Sequence, residues 1–71
     1  METITITTEY IKLQDLLKFA GLVSTGGEAK SLIADGAVEV NGGVCSMRGK
    51  KIRPGDQVVF QGRVLTVAYA D

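Results

Sequence analysis

The chain has no histidine and no tryptophan, and only one cysteine and one proline. Without histidine there is no imidazole to act as a general base, to activate a serine or cysteine, or to bind a metal through nitrogen. Cys45 alone can form no intramolecular disulfide, and it cannot supply the paired thiolates of a structural zinc site. A lone free thiol suits a reducing compartment, so a cytoplasmic location is expected. No apolar run approaches the ~20 residues that cross a bilayer. The start Met1-Glu2-Thr3-Ile4-Thr5-Ile6 lacks the basic and long apolar regions of a signal peptide. No membrane partner, small-molecule substrate, cofactor or metal is expected. The carboxylates Asp15, Glu28 and Asp35 fall on separate helix surfaces and form no convergent acid–base pair, so catalysis is not expected either.

Net charge is also missing: eight basic residues balance eight acidic ones. The balance conceals an asymmetry. Residues 1–43 hold Lys12, Lys18 and Lys30 against Glu2, Glu9, Asp15, Glu28, Asp35 and Glu39, a net of −3. Residues 44–71 hold Arg48, Lys50, Lys51, Arg53 and Arg63 against Asp56 and Asp71, a net of +3. Between Val44 and Arg53 there are four positive charges and no negative one, so an anionic partner is sought there first. With 71 residues the chain makes a single domain, one that buries only about 60% of its unfolded surface. A composition 45% hydrophobic and 23% charged is that of a globular protein rather than a disordered one.

The hydrophobic periodicity changes along the chain. Ile4 and Ile6 alternate with threonines, and residues 1–10 are expected to form an N-terminal extension or an edge strand. Leu13, Leu16, Leu17 and Ala20 follow helical spacing, Phe19 is expected to fill the same side, and Gly21 ends the helix. Thr25-Gly26-Gly27-Glu28 is a capping box that starts a second helix with Ala29, Leu32 and Ile33 on its apolar face, closed by Gly36. From Ala37 the period becomes two. Asn41-Gly42-Gly43 predicts a three-residue hairpin loop with Gly43 left-handed and Val40 opposite Val44. Pro54-Gly55-Asp56 predicts a turn. Gly62-Arg63 predicts a type II′ hairpin that pairs Phe60 with Leu65 and Val58 with Val67. Phe19, Phe60 and both tyrosines, Tyr10 and Tyr69, are read as core, and Cys45 as a small strand residue. The expected fold class is α+β, two packed helices followed by a small antiparallel sheet.

The runs Lys12-Leu13-Gln14-Asp15-Leu16-Leu17, Gly21-Leu22-Val23-Ser24, Ala29-Lys30-Ser31-Leu32-Ile33, Gly36-Ala37-Val38-Glu39-Val40-Asn41-Gly42 and Ile52-Arg53-Pro54-Gly55-Asp56 occur in this order. Together they resemble the S4 RNA-binding domain, and within that family the small stand-alone bacterial proteins. The resemblance spans roughly residues 11–60, and residues 11–71 are taken as the S4-like domain. It implies the αL motif, a helix pair with a hairpin-bearing sheet, and binding of structured RNA through the two helices and the adjoining loop, without catalysis by the domain itself. The candidate RNA classes are rRNA and tRNA, and a monomer is expected. The resemblance also implies that Lys12 matches the basic position opening the first family helix, Lys30 a basic position in the second, and Asn41 and Gly42 the Val-Asn-Gly turn. The chain departs from the family at Gly26, where many members carry arginine, and at Ala34 and Asp35, where many carry Arg and His. Those departures remove phosphate contacts and imply a weaker, altered footprint.

Physical chemistry supplies the rest of the expected site. Thr25, Gly26 and Gly27 open a helix whose free amides face outward, and Lys30 stands one turn on from Gly26. Capping alone accounts for the same residues, with Glu28 disfavouring an anion. Arg48, Lys50, Lys51 and Arg53 form the main electrostatic feature, read as an exposed loop that meets a phosphate backbone. With the tyrosines read as core, the expected mode is shape and phosphate recognition rather than base stacking. A protein-interaction adaptor that kept the fold with little RNA affinity is the second reading, favoured by net neutrality, Gly26 and Asp35.

Overall fold

The structure is a computed structural model that describes residues 2–70; Met1 and Asp71, the outer bounds of the two expected segments, lie outside the described residues. Helix α1 runs Leu13–Phe19 and helix α2 runs Gly26–Ala34. Each ends in a pair of backbone bonds made possible by a left-handed glycine. After α1, Gly21 (φ 75°) donates to the Lys18 carbonyl and Leu22 to that of Leu17. After α2, Gly36 (φ 79°) donates to Ile33 and Ala37 to Leu32. Both are Schellman ends, which satisfy carbonyls that would otherwise be orphaned. At the start of α2 half of the capping box forms: the Glu28 amide donates to Thr25 Oγ1 at 3.1 Å, while Glu28 Oε1 accepts at 3.2 Å from the amide of Ser24, one residue before the N-cap, rather than from that of Thr25.

Strands β1 (Glu2–Ile6), β3 (Val38–Val40), β4 (Gly43–Val44), β6 (Gln57–Phe60) and β7 (Arg63–Tyr69) build one sheet in the order β1-β7-β6-β3-β4; β2 (Ile11–Lys12) and β5 (Lys51–Ile52) form a separate ribbon. Within the larger sheet β1 lies parallel to β7 and every other pair is antiparallel, so the sheet is mixed where an antiparallel one was expected. A parallel neighbour cannot be reached by a tight turn, and here the whole domain lies between the two strands. The bidentate Arg63–Glu2 pair, with nitrogen–oxygen distances of 2.6 and 2.7 Å, fastens the start of β1 beside β7. The core gathers Leu13, Leu16 and Leu17 from α1, Ala29 and Ile33 from α2, and the inward residues Val38, Val58, Phe60, Leu65 and Val67 of the sheet, with Ile52 of the ribbon.

Both hairpins differ from their expected turns. Asn41 (φ 50°) and Gly42 (φ 88°) are both left-handed, as are Gln61 (φ 52°) and Gly62 (φ 77°). These are two-residue type I′ turns, whose twist matches that of the flanking strands. The first pairs Val40 with Gly43 and Glu39 with Val44, so Val44 lies on the outer side at 66% exposure instead of opposite Val40. The second pairs Phe60 with Arg63 and Val58 with Leu65. That register is two residues away from the expected one, and a shift of two leaves every side chain on its predicted face. Phe19 is a further correction, at 64% exposure. At about 100° per residue it stands roughly 110° from the centre of the Leu13/Leu16/Leu17 stripe, beyond its edge. Tyr69 is exposed and Tyr10 half-buried, so neither is core.

One polar cluster joins distant turns. Asp56 Oδ2 accepts from the Arg53 amide at 2.8 Å and its Oδ1 accepts from Asn41 Nδ2 at 3.1 Å. Asn41 Oδ1 in turn accepts from the Gln57 amide at 2.9 Å, and the Asn41 amide donates to the Gln57 carbonyl. The Val-Asn-Gly turn is thereby tied to the Arg53–Asp56 turn. The amide bond from Arg53, then Asn41 and the nearby charges of Lys50 and Arg53, hold the Asp56 carboxyl below the usual aspartate range.

Two predictions follow from this packing. Phe60 is 2% exposed and Phe19 64%. Phe60→Ala is expected to cost about 3–5 kcal/mol, a large part of the roughly 4–10 kcal/mol available to a chain this size. Phe19→Ala should stay within about 0.5 kcal/mol; urea denaturation midpoints compare the two. For Asp56 the folded-state pKa lies below that of the unfolded chain. Its stabilisation is therefore complete above the ordinary aspartate pKa of about 3.9 and disappears as pH falls through the depressed value. Asp56→Asn keeps the shape but sets an amide donor against Asn41 Nδ2 or the Arg53 N–H. It should cost roughly 1 kcal/mol at neutral pH, the carboxylate being partly solvated, and should lose less than the parent between about pH 5 and pH 2.

Candidate nucleic-acid interface

The centre of the candidate interface is the β2–β5 ribbon. In an antiparallel pair, residues directly opposite one another share a face, and neighbours along each strand alternate. Ile11 lies opposite Ile52, and both turn toward the core: Ile52 is fully buried and Ile11 packs against the core cluster. Lys12 lies opposite Lys51 on the other face. The same alternation brings Tyr10 and Arg53, which flank the isoleucines, onto the Lys12/Lys51 face. Lys51 Nζ stands 4.9 Å from the centroid of the Tyr10 ring, and the Arg53 guanidinium carbon 6.0 Å from it. These are cation–π distances.

Sequence reading expected Arg48 to Arg53 as one exposed loop. Arg48, Lys50, Lys51 and Arg53 are all exposed, but Lys51 is part of strand β5, and the segment before it is anchored by its backbone. The Leu13 amide donates to the Lys50 carbonyl at 2.9 Å and the Gln14 amide to the Arg48 carbonyl at 3.1 Å. The basic segment thus caps the start of α1, where Lys12 is the N-cap and gives no side-chain cap bond. Its carbonyls occupy amides that an anion would otherwise meet, so at α1 the cations, not the helix end, face outward.

Lys12, Arg48, Lys50, Lys51 and Arg53 are therefore gathered around one ribbon and one helix start. Among the described residues the only ion pair is Arg63–Glu2, so none of the five has a carboxylate within salt-bridge distance. Glu9 and Asp15 line a shallow depression with Tyr10 and Lys12 and mark the acidic margin of the basic surface. No group of three potential metal ligands occurs among the described residues.

The other expected residues lie elsewhere. Thr25, Gly26 and Gly27 open α2 and Lys30 is exposed on it; no hydrogen bond or ion pair links them to the ribbon. Neither glycine has a positive φ, and a Cβ at Gly26 would meet nothing within 4 Å. The conformation of this start therefore does not require glycine. Asn41 already uses both amide atoms inside the fold, and Gly42 serves the turn, so this pair positions the strand after Arg53. Tyr10 is the residue that sequence reading missed. The signal was its place two residues before Lys12, a same-face spacing if Tyr10-Ile11-Lys12 is extended.

Comparison with known proteins agrees with this architecture. A family model described as the S4 domain matches residues 4–68. The chain is 40% identical over 58 residues to "Putative RNA-binding protein YbcJ" of Escherichia coli strain K12, covering 82% of this chain and 83% of that protein. It is 39% identical over 59 residues to "Probable ribosome maturation protein RlbA" of Bacillus subtilis strain 168, covering 83% of each. The solution structure of E. coli YbcJ, described as revealing an αL motif involved in RNA binding, superposes with a TM-score of 0.73 over 96% of this chain and 87% of that one, at 36% identity. The 30S ribosomal protein S4e of Thermoplasma acidophilum shares the fold, with a TM-score of 0.67 at 22% identity over 92% of this chain and 34% of that one. The two helices, the hairpin-bearing sheet and these matches establish that the chain belongs to the S4 domain family.

Proposed function

We propose that the chain is a non-catalytic module that binds structured RNA, with ribosomal RNA as its target class, through the basic face built on the β2–β5 ribbon. The observation that carries this reading is the gathering of Lys12, Arg48, Lys50, Lys51 and Arg53, all exposed and without an ion-pair partner among the described residues. Five such cations on a fixed backbone suit the phosphates of a folded RNA, which position a protein without reading bases. The family supports RNA, through the αL motif of YbcJ described as involved in RNA binding, and RlbA, a probable ribosome maturation protein, supports the ribosome. A cytoplasmic location is consistent with both; no helix among the described residues is long and apolar enough to cross a membrane.

The contact mode is phosphate and shape. The Tyr10 ring already carries cations, and Phe60 is buried, so the basic face presents no vacant aromatic platform for stacking. Thr25, Gly26, Gly27 and Lys30 are secondary contributors that extend the footprint along α2. The protein-adaptor reading gains one specific support from the fold, the exposed apolar residues Val44 and Met47 near the basic segment.

Changing Lys50, Lys51 and Arg53 together to alanine is expected to weaken binding to a structured RNA at least tenfold near 0.1 M salt. It should also reduce the slope of log affinity against log salt by about 2–3. Filter binding or fluorescence anisotropy across a salt series reads both quantities, and unchanged binding would remove the proposed face. A partner that still co-purifies after nuclease treatment, with no affinity for RNA, would replace the RNA reading with the adaptor.

A further inference from the structure

The outer face of the ribbon combines two features that pull against each other. Lys12 and Lys51 are directly opposite across the strand pair, an arrangement of like charges that destabilises a ribbon. Next to them the Tyr10 ring draws Lys51 Nζ to 4.9 Å and the Arg53 guanidinium to 6.0 Å. The negative face of the ring attracts both cations and limits where they can go.

We propose that Tyr10 is a positioning residue for an oxyanion seat formed by Lys12, Lys51 and Arg53, which takes one phosphate of an RNA backbone. Naming RNA as the source of that phosphate rests on the function proposed above; the seat itself is a claim about phosphate. A phosphate placed between Lys12 and Lys51 replaces their mutual repulsion with two attractions. The ring holds Lys51 and Arg53 near their bound positions in advance, so less side-chain freedom is lost when the anion arrives. Glu9 and Asp15 bound the depression beside Tyr10 and Lys12. They repel an anion from that margin and confine it to the side of Lys51 and Arg53.

The test uses the intact protein and inorganic phosphate, titrated at constant ionic strength and followed by the backbone amide signals in two-dimensional NMR. In the parent, shifts should concentrate at Tyr10, Lys12, Lys51 and Arg53. Tyr10→Phe keeps the ring and should bind phosphate within twofold of the parent. Tyr10→Leu keeps apolar bulk without the ring and should bind about two- to fivefold more weakly, the worth of an exposed cation–π contact. Lys51→Met keeps the stem without the charge and should lose at least as much. Ribbon signals that do not respond in the parent overturn the seat, and so does parent-like affinity in Tyr10→Leu. If Tyr10→Leu disturbs the ribbon itself, Lys51→Met decides: undiminished phosphate affinity there overturns the proposal. A parallel titration with structured RNA separates the two readings. Matching losses in both titrations support a phosphate of RNA. A parent that takes phosphate at the ribbon but binds no RNA upholds the seat and removes RNA as its source.

Discussion

The pairing of Ile11–Lys12 with Lys51–Ile52 controls more of this molecule than four residues suggest. On its inner side the two isoleucines join the core, and that burial fixes which way the ribbon faces. On its outer side the same alternation collects Tyr10, Lys12, Lys51 and Arg53. The pairing also holds the Arg48–Lys50 backbone against the start of α1, where two carbonyls accept the first helical amides. A seven-residue helix is too short to persist alone in water. It exists because Leu13, Leu16 and Leu17 are buried and because its open end is closed by that segment. The far end of the ribbon is held by Asp56, which binds the Arg53 amide and, through Asn41, the β3–β4 turn. Core, helix start and cationic surface are thus set by one short stretch of strand pairing.

That economy has an energetic consequence. A ribbon selected only for stability would place opposite charges across from each other, and this one sets lysine against lysine. The structure tolerates the conflict because the isoleucines underneath and the aromatic ring alongside offset it. Local choices that oppose stability are what a binding surface looks like when its partner supplies the missing counter-charge. Asn41 shows the reverse case: an exposed polar residue on a turn whose side-chain nitrogen and oxygen each make a bond that holds the fold.

How far the sequence could be read depended on how local each signal was. Helix starts and stops were legible because Thr25, Glu28, Gly21 and Gly36 act within one turn of themselves. The faces of β6 and β7 were legible although their register was not, since alternation survives a shift of two. The first hairpin's register is not legible from apolar pattern, because Val44 is apolar like a core residue but an edge strand of two residues leaves it outside. The parallel partnership of β1 with β7 joins the two ends of the chain, and no local pattern encodes it. The basic segment was found by charge alone. Its link to Lys12 and Tyr10 has no sequence signature, because a two-residue strand carries almost no periodicity of its own.

The formal neutrality of the chain does not oppose its binding a polyanion. At physiological ionic strength charges are screened over about 8 Å, so a phosphate responds to the side chains within that radius rather than to the sum over the molecule. Folding draws Lys12 out of the acidic half of the sequence and sets it opposite Lys51, which raises the positive charge density where the chain's own ion pairing does not cancel it. Of the acidic residues, Glu9 and Asp15 border the basic face, while Glu28 and Glu39 lie on α2 and β3, where they disfavour the approach of a polyanion. A uniformly basic protein of this size would attract any nucleic acid from every side. A neutral one with five of its cations gathered around a single ribbon and helix start gives up long-range attraction and gains a preferred face, and that geometry favours a polyanion that can place its charges where the ribbon holds its own.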